Sequence, residues 1–241
     1  MKGGRTVTIA GLQKMTLLDF PGKVACTVFL QGCNFRCPFC HNSDLLEGPP
    51  PTPLSADALL AFLEKRVGLL DGVCITGGEP TLQNDLPDLL ARIKALGFAV
   101  KLDTNGTRPQ LLKRLVADGL VDYVAMDVKN APSHYAATVG LSSMTLDAVE
   151  ESLRFLLTGA VAYELRTTVV AELHDENAVR AIGEWLCTLS PRKADRFFLQ
   201  AYAERDSVLC GGLSAPDPAT MHAYVAVLRP FVTYVDVRGV D

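Results

Sequence analysis

The stretch Gln31-Gly32-Cys33-Asn34-Phe35-Arg36-Cys37-Pro38-Phe39-Cys40 contains three thiols within eight residues. A structural zinc site normally closes with four protein ligands, and a cubane iron–sulfur cluster has four irons to be bound. No fourth cysteine lies near these three in the sequence, so one iron of such a cluster would stay open to a small molecule. The spacing therefore predicts a reactive iron–sulfur centre. A zinc knuckle completed by His41 is the alternative.

Composition is that of an ordinary globular chain. Of 241 residues, 49% are hydrophobic and 21% charged, and the net charge of −4 argues against a nucleic-acid partner. No apolar run approaches the roughly 18 residues of a membrane span, and Met1–Thr6 lacks a hydrophobic signal core. Seven cysteines, an odd number, do not suit a secreted disulfide scaffold. We therefore expect a cytoplasmic protein with no membrane partner.

Short apolar runs alternate with amphipathic stretches, which is typical of βα units around a parallel sheet. The predicted strands are Val24–Leu30, Gly72–Thr76, Ala99–Asp103, Tyr123–Val128, Glu164–Val170 and Arg196–Ala201, with a seventh at Val232–Val237. The predicted helices are Ala56–Val67, Leu86–Leu96, Gln110–Ala117, Leu146–Leu157, Glu176–Leu189 and Pro218–Leu228, of which Ser55 and Asp175 are predicted to cap the first and fifth.

About six βα units are two short of a closed eight-unit barrel. We therefore predict an α/β fold with an open, partial TIM-type barrel, formed by a single domain over residues 1–241 with a cluster loop at residues 31–42. Reactive groups in such folds gather at the carboxyl ends of the strands. The cysteine loop follows this rule, because it begins three residues after the first predicted strand ends.

A second motif, Thr76-Gly77-Gly78-Glu79-Pro80, stands at the end of the next predicted strand. Two glycines let the backbone approach a ligand closely, and Glu79 adds a carboxylate that can accept from an ammonium group. Taken alone, the motif is about as well explained by ordinary turn chemistry. Beside the cysteine loop, it predicts a binding site for a ligand with an amino group.

Carboxylates also end the third and fourth predicted strands. Asp103 and Asp127 could form a small cation site, bind a ribose or cap the following loops. Arg166 lies within the apolar run Leu165-Arg166-Thr167-Thr168-Val169, so a carboxylate partner is expected for it, from the protein or from a ligand.

Taken together, these motifs resemble the radical S-adenosylmethionine (SAM) enzymes, and among them the activating enzymes of glycyl-radical enzymes. The resemblance is carried, in chain order, by Cys33/Cys37/Cys40, Gly77-Gly78-Glu79-Pro80, Asp103-Thr104-Asn105-Gly106 and Asp127-Val128-Lys129. The opening stretch, with Leu18-Asp19-Phe20-Pro21-Gly22-Lys23, is most similar to the activating proteins of anaerobic ribonucleoside-triphosphate reductase. Pyruvate formate-lyase activase is a near relative. The resemblance implies the radical SAM fold and oxidoreductase activity.

The resemblance implies a role for each matched residue. Cys33, Cys37 and Cys40 would bind three irons of a [4Fe–4S] cluster, with the amino and carboxylate groups of SAM on the fourth. Gly77, Gly78 and Glu79 would hold that amino group, and Phe39 would lie against the adenine.

Further SAM contacts are predicted at Asp103, Asn105, Asp127 and Lys129, and at Arg166 if its partner is the SAM carboxylate. The resemblance also implies a monovalent-cation site formed by Asp103, Thr104, Asp127 and the backbone of Ala125. One departure stands out. Pyruvate formate-lyase activase has a Tyr-His pair near SAM, and this chain has Tyr202-Ala203 there, so one histidine contact is expected to be missing.

The implied reaction is reductive, with flavodoxin or ferredoxin as the electron donor. SAM would be cleaved to methionine and a 5′-deoxyadenosyl radical, which would take a hydrogen atom from a glycine of the partner enzyme. The predicted partner is anaerobic ribonucleoside-triphosphate reductase. The alternatives are a pyruvate formate-lyase-type activase, a radical SAM enzyme acting on a small molecule, and a non-catalytic metal-binding module.

Overall fold

The computed structural model describes residues 7–50, 52–205 and 207–240. These ranges contain eight strands and seven α-helices. The strands are β1 (Ile9–Thr16), β2 (Ala25–Leu30), β3 (Gly72–Gly77), β4 (Ala99–Thr104), β5 (Tyr123–Asp127), β6 (Ala162–Val169), β7 (Ala194–Ala201) and β8 (Val232–Arg238). The helices are α1 (Ala56–Glu64), α2 (Leu86–Ala95), α3 (Pro109–Ala117), α4 (Tyr135–Thr138), α5 (Asp147–Leu157), α6 (Glu176–Leu189) and α7 (Pro218–Leu228).

The predicted strands and helices are all present, and strand order follows chain order. Two elements were not predicted. β1 has no apolar run, because Gly11, Gln13 and Lys14 interrupt it, and α4 is a single turn. No helix within the described ranges is long and apolar enough to cross a bilayer. Met1–Thr6, on which the prediction of no signal segment rests, lies outside the described residues.

The chain divides into two compact units. The described residues of unit 1 fall within 7–34, 44–104 and 110–124, and those of unit 2 within 35–43, 105–109 and 125–240. The boundary crosses the cysteine loop, so Cys33 belongs to unit 1, whereas Cys37 and Cys40 belong to unit 2. The single domain over residues 1–241 stays a prediction.

Unit 1 contains β1 to β4. β1 pairs antiparallel with β2, whereas β2, β3 and β4 pair in parallel. The register sets Leu30 opposite Gly77, so the carboxyl ends of β2 and β3 meet at one edge of the sheet. Val73, Cys74 and Ile75 of β3 are fully buried, as expected of a parallel strand covered on both faces. This pairing brings the start of the cysteine loop, residues 31–33, and the Gly-Gly-Glu motif to the same edge of unit 1.

Unit 2 contains β6, β7 and β8, which pair in parallel, and the last residues of β5. Helices α5 and α6 bury a leucine-rich face that includes Leu153, Leu156 and Leu186. The predicted caps of both units are confirmed. Ser55 accepts from the N–H of Ala58 at 3.1 Å, and Asp175 accepts from that of Ala178 at 2.7 Å. These caps fix where α1 and α6 begin.

Candidate active site

The predicted site residues fall into both units. Unit 1 holds Cys33, Gly77, Gly78, Glu79, Asp103 and Thr104. Unit 2 holds Cys37, Phe39, Cys40, Asn105, Ala125, Asp127, Lys129 and Arg166.

In unit 1, the Gly-Gly-Glu turn is hydrogen-bonded to the backbone that leads into Cys33. The N–H of Gly78 donates to the carbonyl oxygen of Leu30 at 2.8 Å, and that of Glu79 donates to Gly32 at 2.7 Å. Gly77 has a φ of 116°, a conformation that favours glycine. A Cβ on Gly78 would lie 2.6 Å from the carbonyl carbon of Gly32, so the turn packs against the cysteine loop without room for a side chain.

The Glu79 side chain is 1% exposed and is held by threonines. Its Oε1 accepts from the N–H of Thr81 at 3.1 Å, from the Thr81 hydroxyl at 2.5 Å and from the Thr104 hydroxyl at 2.8 Å. Buried carboxylates are costly unless hydrogen-bonded, and these donors meet that requirement. The result is an oriented carboxylate on a residue whose backbone N–H is bound to Gly32, the residue before Cys33.

Asp103, at the end of β4, has a protein cation as its partner. The ammonium of Lys101 forms an ion pair with Asp103 Oδ1. The Cys74 thiol lies 3.8 Å from both groups. The Lys101 side chain is only 2% exposed, whereas that of Asp103 is 15% exposed. Lys101 was not singled out from the sequence, although Lys101 and Asp103 are two residues apart on a strand and so face the same side.

In unit 2, Asp127 at the end of β5 binds two cations. Its Oδ2 lies 2.8 Å from Lys129 Nζ, and its Oδ1 lies 3.0 Å from Arg166 Nε. The carboxylate partner expected for Arg166 is thus a protein acid in this structure. Burial alone would raise the pKa of Asp127, but the charges of Arg166 and Lys129 outweigh it and lower this pKa to about 2.

Asp127→Asn tests this electrostatic balance by its pH dependence. A carboxyl whose folded pKa lies below its unfolded value of 3.8 stabilises the fold above that pH and loses this contribution as the pH falls to about 2. The shift corresponds to about 2 kcal/mol near neutral pH. We expect urea unfolding of the apoprotein to show Asp127→Asn less stable by about that amount. This difference should shrink steadily below pH 4, which is about the unfolded value.

Asp118→Asn, at an exposed position, is the control and should change the free energy of unfolding by less than about 0.5 kcal/mol at any pH. A difference between wild type and Asp127→Asn that stays constant with pH would contradict the assignment.

The charge of Lys129 also interacts with that of the second cysteine, Cys37. Burial favours the neutral amine, but the negative charges of Asp127 and Cys37 outweigh it and raise the pKa of Lys129 above its ordinary value. Lys129 therefore stays an ammonium ion whose charge can balance a thiolate at Cys37.

Most of the other predicted site residues of unit 2 are buried. Cys37 and Phe39 are 7% and 4% exposed, and Ala125 is fully buried. Asn105 accepts from the N–H of Thr107 at 3.1 Å and from its hydroxyl at 2.7 Å, which is a local turn contact.

The histidine after the last cysteine contacts the segment that follows β7. His41 Nε2 lies 2.7 Å from the Ala203 carbonyl oxygen, and its ring stacks on Tyr202 with centroids 5.6 Å apart. Burial lowers the pKa of His41, and the charges of Arg205 and Lys129 act in the same direction. A neutral imidazole with its proton on Nε2 donates to this carbonyl. His41, the alternative zinc ligand, thus packs against the position where the histidine is missing.

Two further contacts attach Ser207 and Cys210 to the cysteine loop. The Ser207 hydroxyl donates to the His41 carbonyl oxygen at 2.8 Å, and the N–H of Cys210 donates to that of Pro38 at 3.0 Å. These partners lie more than 160 residues apart in the chain, and no sequence signal pointed to them.

The residues fit a cluster with a bound small molecule. The donor set is three thiols within eight residues of the sequence, and the charge of Lys129 interacts favourably with a thiolate at Cys37. In unit 1, the turn at Gly78 offers close backbone and a carboxylate. In unit 2, the Tyr202 hydroxyl is buried and has no hydrogen-bond partner among the described residues, which suits a ligand contact. Among the described residues, no three His, Cys, Asp or Glu side chains form a site for a single metal ion.

The predicted monovalent-cation site does not fit in the same way. Asp103 is paired with Lys101 in unit 1, and Asp127 is paired with Lys129 and Arg166 in unit 2. Both carboxylates that the cation would need are thus already bound to protein cations.

Comparisons of this chain with known proteins agree on one family. The sequence profile of the radical SAM superfamily matches residues 27–162. A candidate glycyl-radical enzyme activating enzyme of Methanocaldococcus jannaschii is 31% identical over 207 residues, covering 83% of this chain and 81% of that protein. The pyruvate formate-lyase-activating enzyme of Clostridium pasteurianum is 34% identical over 131 residues, covering 51% and 52%. A 7-carboxy-7-deazaguanine synthase of Thermococcus kodakarensis is 28% identical over 178 residues, covering 66% of each.

Among solved structures, QueE from Escherichia coli superposes with a TM-score of 0.59 at 20% identity, covering 98% of this chain and 95% of that one. At this identity the likeness concerns the fold alone. The predicted fold class, α/β with an open sheet in a partial TIM-type barrel, is confirmed.

Proposed function

The chain belongs to the radical SAM superfamily, and on that premise we propose that it is the activating enzyme of a glycyl-radical enzyme, namely an anaerobic ribonucleoside-triphosphate reductase. The family uses a [4Fe–4S] cluster and SAM, and this chain is a radical SAM oxidoreductase. The relatives from Methanocaldococcus and Clostridium bear names of activating enzymes, which supports the activase assignment. The resemblance of the opening stretch, with Leu18-Asp19-Phe20-Pro21-Gly22-Lys23, supports the choice of partner.

The observation that carries the proposal is the pair of hydrogen bonds that connects the Gly-Gly-Glu turn to the start of the cysteine loop in unit 1. Glu79 and Gly78 are hydrogen-bonded to the backbone directly before Cys33. An amino group accepted by this turn is therefore held at a fixed place relative to the first cluster ligand. Positioning of this kind is what a protein contributes when the cofactor carries the chemistry.

When bound, the cluster and SAM supply reductive cleavage of the sulfonium and a hydrogen-abstracting radical. In our proposal Cys33, Cys37 and Cys40 hold the cluster, and Lys129 offsets the negative charge at Cys37. Glu79, with its Oε1 fixed by Thr81 and Thr104, accepts from the SAM ammonium. Phe39 covers the adenine, and Asn105 shapes the loop after β4.

Two remaining residues complete the proposed site. Asp127 keeps Lys129 and Arg166 in place, so that Arg166 serves SAM binding through Asp127 rather than by direct contact. The Tyr202 hydroxyl, buried without a partner among the residues that the structure describes, is the nearest group in sequence to the missing histidine and offers SAM a hydrogen bond.

The electron donor is proposed to be flavodoxin or ferredoxin, and the location the cytoplasm, where thiols stay reduced.

A spin-resonance assay tests the activase proposal. The anaerobically reconstituted protein is reduced and incubated with SAM and the reductase, and electron paramagnetic resonance is recorded. We expect a glycyl-radical signal that disappears when the radical-bearing glycine of the reductase is replaced with alanine. A signal obtained with pyruvate formate-lyase, and not with the reductase, would transfer the assignment to that partner. Cleavage of SAM with no glycyl signal from either enzyme would overturn the activase proposal.

A second candidate function is a radical SAM enzyme that acts on a small molecule. It is favoured by the similarity to a protein named 7-carboxy-7-deazaguanine synthase. The same assay separates the two, because a small-molecule enzyme would produce 5′-deoxyadenosine without a protein radical.

A further inference from the structure

Lys101 is a buried cation at the place where the predicted site calls for a metal ion. Lys101 lies on β4, and only 2% of its side chain is exposed. Its ammonium contacts Asp103 Oδ1. The neighbouring strand places Cys74 opposite Lys101 in register, and the Cys74 thiol lies 3.8 Å from both charged groups. Asp103 thus meets its cation inside unit 1.

The ion pair between Lys101 and Asp103 disfavours the binding of a further cation to Asp103. An ammonium ion out of water costs several kcal/mol unless a carboxylate partners it, so Lys101 depends on Asp103. A potassium or sodium ion on the same carboxylate would stand beside this ammonium, and like charges a few ångströms apart in a poorly solvated site repel strongly. The charge of Asp103 is therefore already balanced by Lys101, and a second cation on this carboxylate would have to overcome repulsion from the ammonium.

The second predicted cation ligand, Asp127, is also paired with protein cations already. In unit 2, Asp127 is bound by both Lys129 and Arg166, at 2.8 and 3.0 Å. Two carboxylates are thus matched by three protein cations, each within its own unit. The Thr104 hydroxyl, another predicted cation ligand, donates its proton to Glu79 at 2.8 Å. An added monovalent cation would find the charge of its acidic ligands already balanced.

We propose that the Lys101 ammonium takes the place of the monovalent cation, so that SAM binding and cleavage by this chain require neither K⁺ nor Na⁺. Lys101 is then a positioning residue, which holds the Asp103 carboxylate as the metal ion would. This inference rests on the proposed function only in that it concerns the same SAM site, and its test does not involve the partner enzyme.

The test uses the reconstituted protein in buffers of equal ionic strength containing K⁺, Na⁺ or tetramethylammonium. For the wild type, we expect the dissociation constant of SAM and the rate of 5′-deoxyadenosine formation to agree within about twofold in all three. Thallium NMR provides a readout that does not depend on activity, because Tl⁺ replaces K⁺ in protein sites. We expect no bound-thallium signal from the wild type. A stoichiometric bound-thallium signal, or a wild-type rate that falls about tenfold without K⁺, would overturn the proposal.

Lys101→Met keeps the length and removes the charge, and it should create the missing cation site. We expect this variant to bind SAM about tenfold more tightly in K⁺ than in tetramethylammonium and to show bound thallium. Lys193→Met, at an exposed lysine, is the control and should behave as the wild type. A Lys101→Met protein as active as the wild type in tetramethylammonium would contradict the inference. If this variant does not fold, the wild-type measurements decide.

A failed spin-resonance assay with the reductase leaves these outcomes unchanged, so the two proposals fail separately.

Discussion

Cys37→Ala will reduce 5′-deoxyadenosine formation to the background level, because the cluster loses one of its three protein ligands. A cluster with two protein thiolates is poorly held, so iron and sulfide content after reconstitution should fall as well. Structure adds a second reason. Cys37 is 7% exposed and its negative charge is one of those that stabilise the Lys129 ammonium, so its loss also unbalances the charges beside Asp127.

The fold should survive this change. Replacing a cysteine with alanine removes one sulfur atom from a loop position, a loss of about 1 kcal/mol. Circular dichroism and the thermal midpoint of the apoprotein should therefore stay close to those of the wild type. Cys187→Ala, an exposed cysteine on α6, is the matched control and should retain cluster content and SAM cleavage. Continued formation of 5′-deoxyadenosine by Cys37→Ala would mean that the cluster ligands are assigned wrongly.

Gly78→Ala is expected to lower SAM cleavage about 10²-fold, the scale of loss that a misplacement of about 1 Å produces. The added Cβ would meet the carbonyl group of Gly32, which is backbone and cannot rotate away. The Gly78 N–H also donates to the carbonyl oxygen of Leu30, the last residue of β2. The turn therefore cannot move away from Gly32 without breaking this hydrogen bond. Overpacking of this kind costs about 1–3 kcal/mol, and relief of the strain displaces the residue before Cys33.

Gly11→Ala is the control, in the same unit. Its Cβ would make ordinary contacts with Phe29 at 3.6 Å or more, so cleavage and thermal midpoint should match the wild type. The measurements are the rate of 5′-deoxyadenosine formation per cluster and the midpoint of thermal unfolding. If Gly78→Ala and Gly11→Ala behave alike, the turn does not control the position of the cysteine loop.

Most of the fold was predictable because it is encoded locally. Apolar runs with flanking caps such as Ser55 and Asp175 set the βα pairs, and each signal lies within one element. β1 was missed because an edge strand with Gly11 and Lys14 carries no such run. The buried Lys101 could have been noticed, since a lysine inside an apolar strand two residues before Asp103 implies a pair on one face.

The sequence by itself determined the chemistry of this protein, because the cysteine spacing and the Gly-Gly-Glu turn are local patterns that need no folded context to be read. Which polar groups meet was decided only by the tertiary structure. Asp127 is paired with Arg166, 39 residues away, and His41 with Ala203, 162 residues away. Such partners depend on which strand ends and loops become neighbours. Burial then makes the Asp127–Arg166 pair obligatory, since a charged group away from water must have a partner.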